Sequence, residues 1–289
     1  MKYADREGRC WEEDCAQDRF LRMLYTHAPG RLLIKLLIQP WVSRLGGAFL
    51  NSRLSCKLIP GFVRNHKIDL SQYEDRVYRS YNDFFTRQIK KEFRPAAKED
   101  KVLISPCDGK LSVYPIDKKQ RFPIKHTEYS VRSLLRSGKL AKRFEGGTAC
   151  VFRLTVDDYH HYCYVDDGIA SEHYHIPGVL HTVNPIANDE VPVYKENSRA
   201  FCLNRSRNFG LILTMEVGAM MVGKIHNFRG RGKVKRGSEM GCFEFGGSTV
   251  ILLLEPGRVE IDGDLIRNTA RGMETVVKMG EKIGRAPSV

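Results

Sequence analysis

A chain of 289 residues with 42% hydrophobic and 28% charged content has material for a large core, and its scattered Gly and Pro, without internal repeats, exclude a disordered tail or a solenoid. The net charge of +13 arises upstream of Ser248, because residues 248–289 carry six basic and six acidic side chains. Eight widely spaced cysteines without a CxxC pair exclude a disulfide-stapled scaffold and read as reduced thiols in a cytoplasmic protein.

Residues 1–18 are polar and of mixed charge, without the apolar core of a secretory signal. From Arg19 to Ile68 there are nine Lys or Arg and no Asp or Glu, which calls for an anionic partner. Interleaved with the charges are Leu32-Leu33-Ile34-Lys35-Leu36-Leu37-Ile38, Trp41, Val42, Leu45, Phe49 and Leu50. That apolar content favours a membrane surface over nucleic acid. Lys35, Pro40 and Arg44 interrupt it well short of the ~20 apolar residues of a bilayer span, so the segment predicts an interfacial platform with Trp41 near the headgroups. The competing reading is a helix packed on the protein's own core or against a second subunit in a homodimer.

Pro29 suits a helix start, and Val77, Tyr81, Phe84 and Phe85 predict a helix over Tyr73–Ile89, ended by Arg94-Pro95. Beyond residue 101 the pattern shortens into strands, including Cys150–Thr155, Leu211–Val217, Met220–Ile225 and Thr249–Leu254, with one helix capped by Ser130 and carrying Val131, Leu134 and Leu135. The expectation is an α+β protein: a helical, membrane-docking region over 1–95, then a mostly antiparallel β core over 96–289.

The segment Gly237-Ser-Glu-Met-Gly-Cys-Phe-Glu-Phe-Gly-Gly-Ser-Thr-Val250 runs into an apolar strand, and its Gly246-Gly247 pair permits close approach to the carbonyl ahead of Ser248. It resembles the processing site of the phosphatidylserine decarboxylases. The resemblance extends in order through Tyr81-Asn-Asp-Phe-Phe-Thr-Arg87 with Arg94-Pro95, Ser105-Pro-Cys-Asp-Gly109, Asp158-Tyr-His160, Val183-Asn-Pro185, Asn197-Ser-Arg199 and Val217-Gly-Ala-Met-Met-Val-Gly-Lys-Ile225.

The resemblance implies cleavage between Gly247 and Ser248 into a large subunit (1–247) and a small one (248–289), with Ser248 becoming a pyruvoyl group. That cofactor would decarboxylate phosphatidylserine to phosphatidylethanolamine through a Schiff base, without metal or nucleic acid. Asp108, His160 and Ser248 would form the charge relay for cleavage. The chemistry asks for these residue types, since a serine hydroxyl needs a base and an imidazole works best when oriented by a carboxylate. By itself Asp108-Gly109 reads equally as a turn, and His160 as a satisfied core histidine.

Two positions depart from the family pattern. A second histidine is replaced by Cys163, which leaves His161 as the alternative base, and Ser198 stands where many relatives carry Glu. Asp157, Asp158, His160, His161, Asp166 and Asp167 lack the spacing of a metal site. The implied partners are anionic phospholipid and the substrate itself, at the cytoplasmic face of a membrane and without a transmembrane helix. A pyruvoyl decarboxylase of soluble amino acids, and a basic binding protein that has lost the chemistry, are the rival readings.

Overall fold

The computed structural model describes residues 1–13, 16–124, 127–219, 224–245 and 248–287. Its centre is the strand Ser248–Leu254, an unbroken apolar and β-branched run buried on both faces. It pairs antiparallel with Leu211–Val217 on one side and Thr148–Leu154 on the other. The sheet extends outward through Arg199–Ser206 in one direction, and through Gly109–Pro115 and Glu274–Val277 in the other. Lys2–Ala4 joins this last strand in parallel, so the first residues belong to the core sheet.

A smaller antiparallel sheet, Ile225–Asn227, Glu239–Phe243 and His161–Cys163, meets the large one. Successive side chains of a strand point to opposite faces, and the register sets Ser248 opposite Leu154, and Val250 opposite both Phe152 and Glu216. Ser248, Leu154, Val250 and Glu216 therefore share one face.

The N-terminal segment folds as helices Ala16–Thr26, Ala28–Leu37 and Pro40–Leu50, followed by a 3-10 turn Arg53–Leu58 and a short helix Ile59–Asn65. Pro29 sits in a first turn, as its missing N–H and fixed φ favour. Leu21, Leu24, Tyr25, Ile34 and Ile38 are buried in the main core, while Leu32, Leu33, Leu36, Trp41, Leu45 and Phe49 remain exposed beside exposed Arg31, Lys35 and Arg44. One side of the helices is structural and the other is uncovered.

The helix expected over Tyr73–Ile89 is confined to Tyr81–Phe85. Ser80 caps it by accepting from Asp83 N, the Asp83 carboxylate draws in Arg79 N and Arg76, and Tyr73 pairs with Ile89 in a β-bridge. Val77, counted as part of an apolar face, is 92% exposed. The helix Val131–Leu135 is capped by Ser130 as expected. Of the strand expected over Met220–Ile225, residues 220–223 lie outside the described residues, and pairing starts at Ile225.

Candidate active site

Ser248 opens the central strand with its side chain fully buried. His160 lies just ahead of the His161–Cys163 strand, and its Nδ1 stands 3.3 Å from Ser248 Oγ. The other ring nitrogen is 2.9 Å from the Thr155 carbonyl. A carbonyl only accepts, so Nε2 carries the proton and Nδ1 presents a lone pair to the serine hydroxyl. Burial pushes the His160 pKa down from 6.5 to about 4, against the opposing pull of Asp158, which leaves the ring a neutral base near pH 7.

The orientation of His160 is supported from behind. Asp158 Oδ2 accepts from Thr155 N at 2.7 Å, from Thr155 Oγ1 at 3.0 Å and from Lys110 Nζ at 2.7 Å. The Thr155–Asp158 turn thus fixes the carbonyl that fixes the imidazole. Phe85 packs against the ring at 4.3 Å between centroids. Asn82 holds the other approach, with its Oδ1 accepting from Phe245 N at 2.9 Å and its Nδ2 donating to Asn51. Gly246 and Gly247, including the scissile carbonyl, lie outside the described residues.

Asp108 is not on the imidazole. Its carboxylate accepts from Arg94 Nε and Nη2 at 2.7 and 2.6 Å and from Met279 N at 2.8 Å, with Lys278 Nζ 3.5 Å away. The expected three-residue relay is therefore two residues in contact, because Arg94 and Lys278 supply the counter-charge that holds Asp108 elsewhere. Its acid lines a polar cleft of about 170 Å³ with Arg94, Lys278, Asp157 and Tyr159. Gly109 is more than a turn residue: at φ +155 a Cβ would stand 3.0 Å from the Arg153 carbonyl.

His161, the alternative base, is turned away from Ser248. It stacks on Tyr159 at 4.6 Å, bonds to Glu239 through Nδ1 and reaches the Thr86 carbonyl through Nε2 at 3.2 Å. Cys163 is buried and its thiol is pushed up to about 12, so it stays protonated as a small core residue. Asn197 binds the backbone of His181 and Gly218, and Arg199 donates to the carbonyls of Ser133, Leu134, Lys195 and Asn197. Both tie loops together. Ser198 instead bonds His175 at 3.0 Å.

Sequence reasoning missed Thr155, Lys110 and Asn82 as positioning residues. The spacing of Thr155 from His160 was the available signal, but a backbone carbonyl leaves no mark in a sequence. Among the described residues no group of three His, Cys, Asp or Glu side chains is arranged to hold a metal ion.

Residues 81–285 match the family model described as phosphatidylserine decarboxylase. The chain is 44% identical over 265 residues to phosphatidylserine decarboxylase proenzyme 2 of Clostridium acetobutylicum, covering 91% of each chain. It is 37% identical over 291 residues to the phosphatidylserine decarboxylase proenzyme of Clostridium botulinum, covering 98% of this chain and 99% of the relative. To the proenzyme of Clostridium kluyveri it is 39% identical over 291 residues, covering 98% of each. With a buried serine held against a neutral histidine and relatives matched over most of their length, the chain belongs to the phosphatidylserine decarboxylase family.

Proposed function

We propose that the chain cleaves itself between Gly247 and Ser248 and carries the resulting pyruvoyl group as its cofactor. Family membership makes it a lyase that converts phosphatidylserine to phosphatidylethanolamine and is made as a self-processing proenzyme. The observation that carries the site assignment is the 3.3 Å contact between Ser248 Oγ and His160 Nδ1, with the proton of His160 locked on the Thr155 carbonyl.

In processing, His160 Nδ1 takes the hydroxyl proton while Oγ bonds to the Gly247 carbonyl carbon. The bond to Ser248 N breaks and that nitrogen receives the proton, leaving an ester and a free amine. Elimination across Ser248 then releases the Gly247 carboxylate, and hydrolysis of the dehydrated residue releases ammonia and leaves a ketone. The residues present fit this group, since the site supplies the hydroxyl, the base and a buried setting. When formed, the ketone supplies an electron sink for loss of carbon dioxide. Asp158 acts through Thr155 to hold the base, and Asp108 holds Arg94 and Lys278 at the neighbouring cleft. The products are a large subunit, 1–247, and a small one, 248–289.

Within residues 1–95, the helices over 16–65 form the docking surface in the same reading. Leu32, Leu33, Leu36, Trp41, Leu45 and Phe49 lie exposed among Arg31, Lys35 and Arg44, a combination suited to an anionic bilayer surface. Among the described residues no helix is long and apolar enough to cross a membrane, and the docking reading takes attachment to be peripheral, at the cytoplasmic face. The intact mass of wild type and Ser248→Ala tests the reading. Wild type should give two fragments, the smaller adding hydroxylamine, and the variant one inert chain. A cleaved, decarboxylating Ser248→Ala protein would end it.

A further inference from the structure

Glu216 is a carboxylate in the middle of the core, fully buried, and neither of its oxygens has a hydrogen-bond partner among the described residues. It lies opposite Val250, so it occupies the same face as Ser248 and is its diagonal neighbour on the adjacent strand, about 7–8 Å away between backbones. The groups facing it are His173, whose Nδ1 is 3.9 Å distant, Asn227, Tyr162 and Tyr164 from the smaller sheet and its continuation, and Cys202 from the next strand. Among the described residues both ring nitrogens of His173 and the Tyr164 hydroxyl also lack a hydrogen-bond partner.

A native core rarely leaves so many polar atoms without hydrogen bonds, and a buried carboxylate is costly when the basic group facing it is a histidine 3.9 Å away. Burial pushes the Glu216 carboxyl above its ordinary range, against the opposing effects of His173 and Asn227. A carboxylate so placed on the face of Ser248 suits a cationic group of one chemical class. Phosphatidylserine brings a primary ammonium group, which has no lone pair with which to attack a ketone until it loses a proton.

We propose that Glu216 accepts the proton of the substrate ammonium, so that the amine reaches residue 248 as a free base. This rests on the pyruvoyl reading above. One N–H bond breaks, one O–H bond forms on the carboxylate, and the opposite charges of the pair disappear together. Ammonium and carboxylate become amine and neutral acid, so the core carries no net charge before or after. A desolvated carboxylate is suited to this transfer because its neutral form is the one that burial favours.

The test compares mature wild type with Glu216→Gln. Hydroxylamine, which is largely unprotonated near neutral pH, first reports the ketone. If wild type gives no oxime, the pyruvoyl reading falls and Glu216 loses its proposed role with it. If both proteins form oxime at equal rates, capture of ethanolamine on the small subunit with cyanoborohydride is followed by mass between about pH 7 and 9, below the amine's own pKa. Wild type should be nearly flat, because a carboxylate with an ammonium keeps one composition throughout. The Gln variant should be at least about tenfold slower at pH 7 and gain roughly tenfold per pH unit. Equal capture rates in the two proteins would overturn the proposal. Should Glu216→Gln fail to fold or cleave, the wild-type profile decides alone: a flat profile supports the proposal, and a tenfold rise per unit overturns it.

Discussion

Asn82 Oδ1 accepts the backbone N–H of Phe245 at 2.9 Å, across 163 positions of sequence. Phe245 is two residues ahead of Gly247, and its ring packs edge-on to Tyr81 and Phe85, each at 5.1 Å. The short helix Tyr81–Phe85 thus grips the approach to the cleavage site from one side while Phe85 presses on His160 from the other.

Asn82→Ala should therefore slow processing. Loss of one hydrogen bond of this kind is worth about 1 kcal/mol, and somewhat more where a buried donor is stranded, which amounts to roughly a five- to thirtyfold fall in cleavage rate. A cleavage time course read by intact mass checks this. Unchanged cleavage in the folded variant would remove Asn82 from the positioning of the site.

His160→Ala should block cleavage and His161→Ala should spare it, since only the first ring reaches Ser248. The pH dependence follows from burial. In the unfolded chain the ring titrates near 6.5, and in the folded chain at about 4. The unfolded state binds the extra proton between those values, so the His160 contribution to stability is intact above pH 6.5 and is lost as pH falls toward 4. Melting temperatures of Ser248→Ala and of Ser248→Ala with His160→Gln should converge or cross in that window. Parallel curves would show that His160 is not buried neutral.

Asp108→Ala should act first on stability. Its carboxylate is 1% exposed and holds both Arg94 and Lys278, so truncation strands a largely buried guanidinium. Breaking a buried pair by removing one partner costs on the order of 3–5 kcal/mol. Denaturant unfolding on a Ser248→Ala background reads this directly, and a loss below about 1 kcal/mol would mean the pair is not maintained in solution.

Much of this was legible in the sequence because local pattern and local structure coincide. The apolar run ahead of Glu255 became the central strand, Ser130 capped its helix, and Leu211–Val217 is a strand with the expected ends. The apolar spacing over Tyr73–Ile89 misled because only part of it shares a cluster: Tyr81, Phe84 and Phe85 pack with Leu50, whereas Val77 is exposed and Tyr73 at the start of the span packs with Ile89 and Tyr159. Helical spacing implies one shared face, and here tertiary packing splits it. His160 and Ser248 were readable as chemical types. The partners of Asp108 were not, because Lys278 and Met279 lie some 170 positions away, and only the folded sheet brings them together.

The last prediction concerns residues 19–68. Ile34 and Ile38 are buried while Leu32, Leu33, Leu36 and Trp41 are exposed, so the same helices have an anchoring side and a free side. Changing Arg31, Lys35 and Arg44 to Gln touches only exposed side chains. Each basic residue near an anionic surface contributes about 1 kcal/mol, so the triple variant should bind anionic vesicles roughly a hundredfold more weakly, with its melting temperature nearly unchanged. High salt should reproduce part of the loss, because screening removes the Coulomb attraction and leaves the apolar contribution of Leu33, Leu36 and Trp41. Ile34→Ala should behave oppositely, losing about 2–5 kcal/mol of stability through the cavity it opens while the basic surface still binds. Cleavage at Ser248 should continue in the triple variant, since that event is intramolecular and lies in the sheet. If vesicle cosedimentation of the triple variant equals wild type at low salt while its thermal stability falls, the exposed side is covered by protein and the docking role fails.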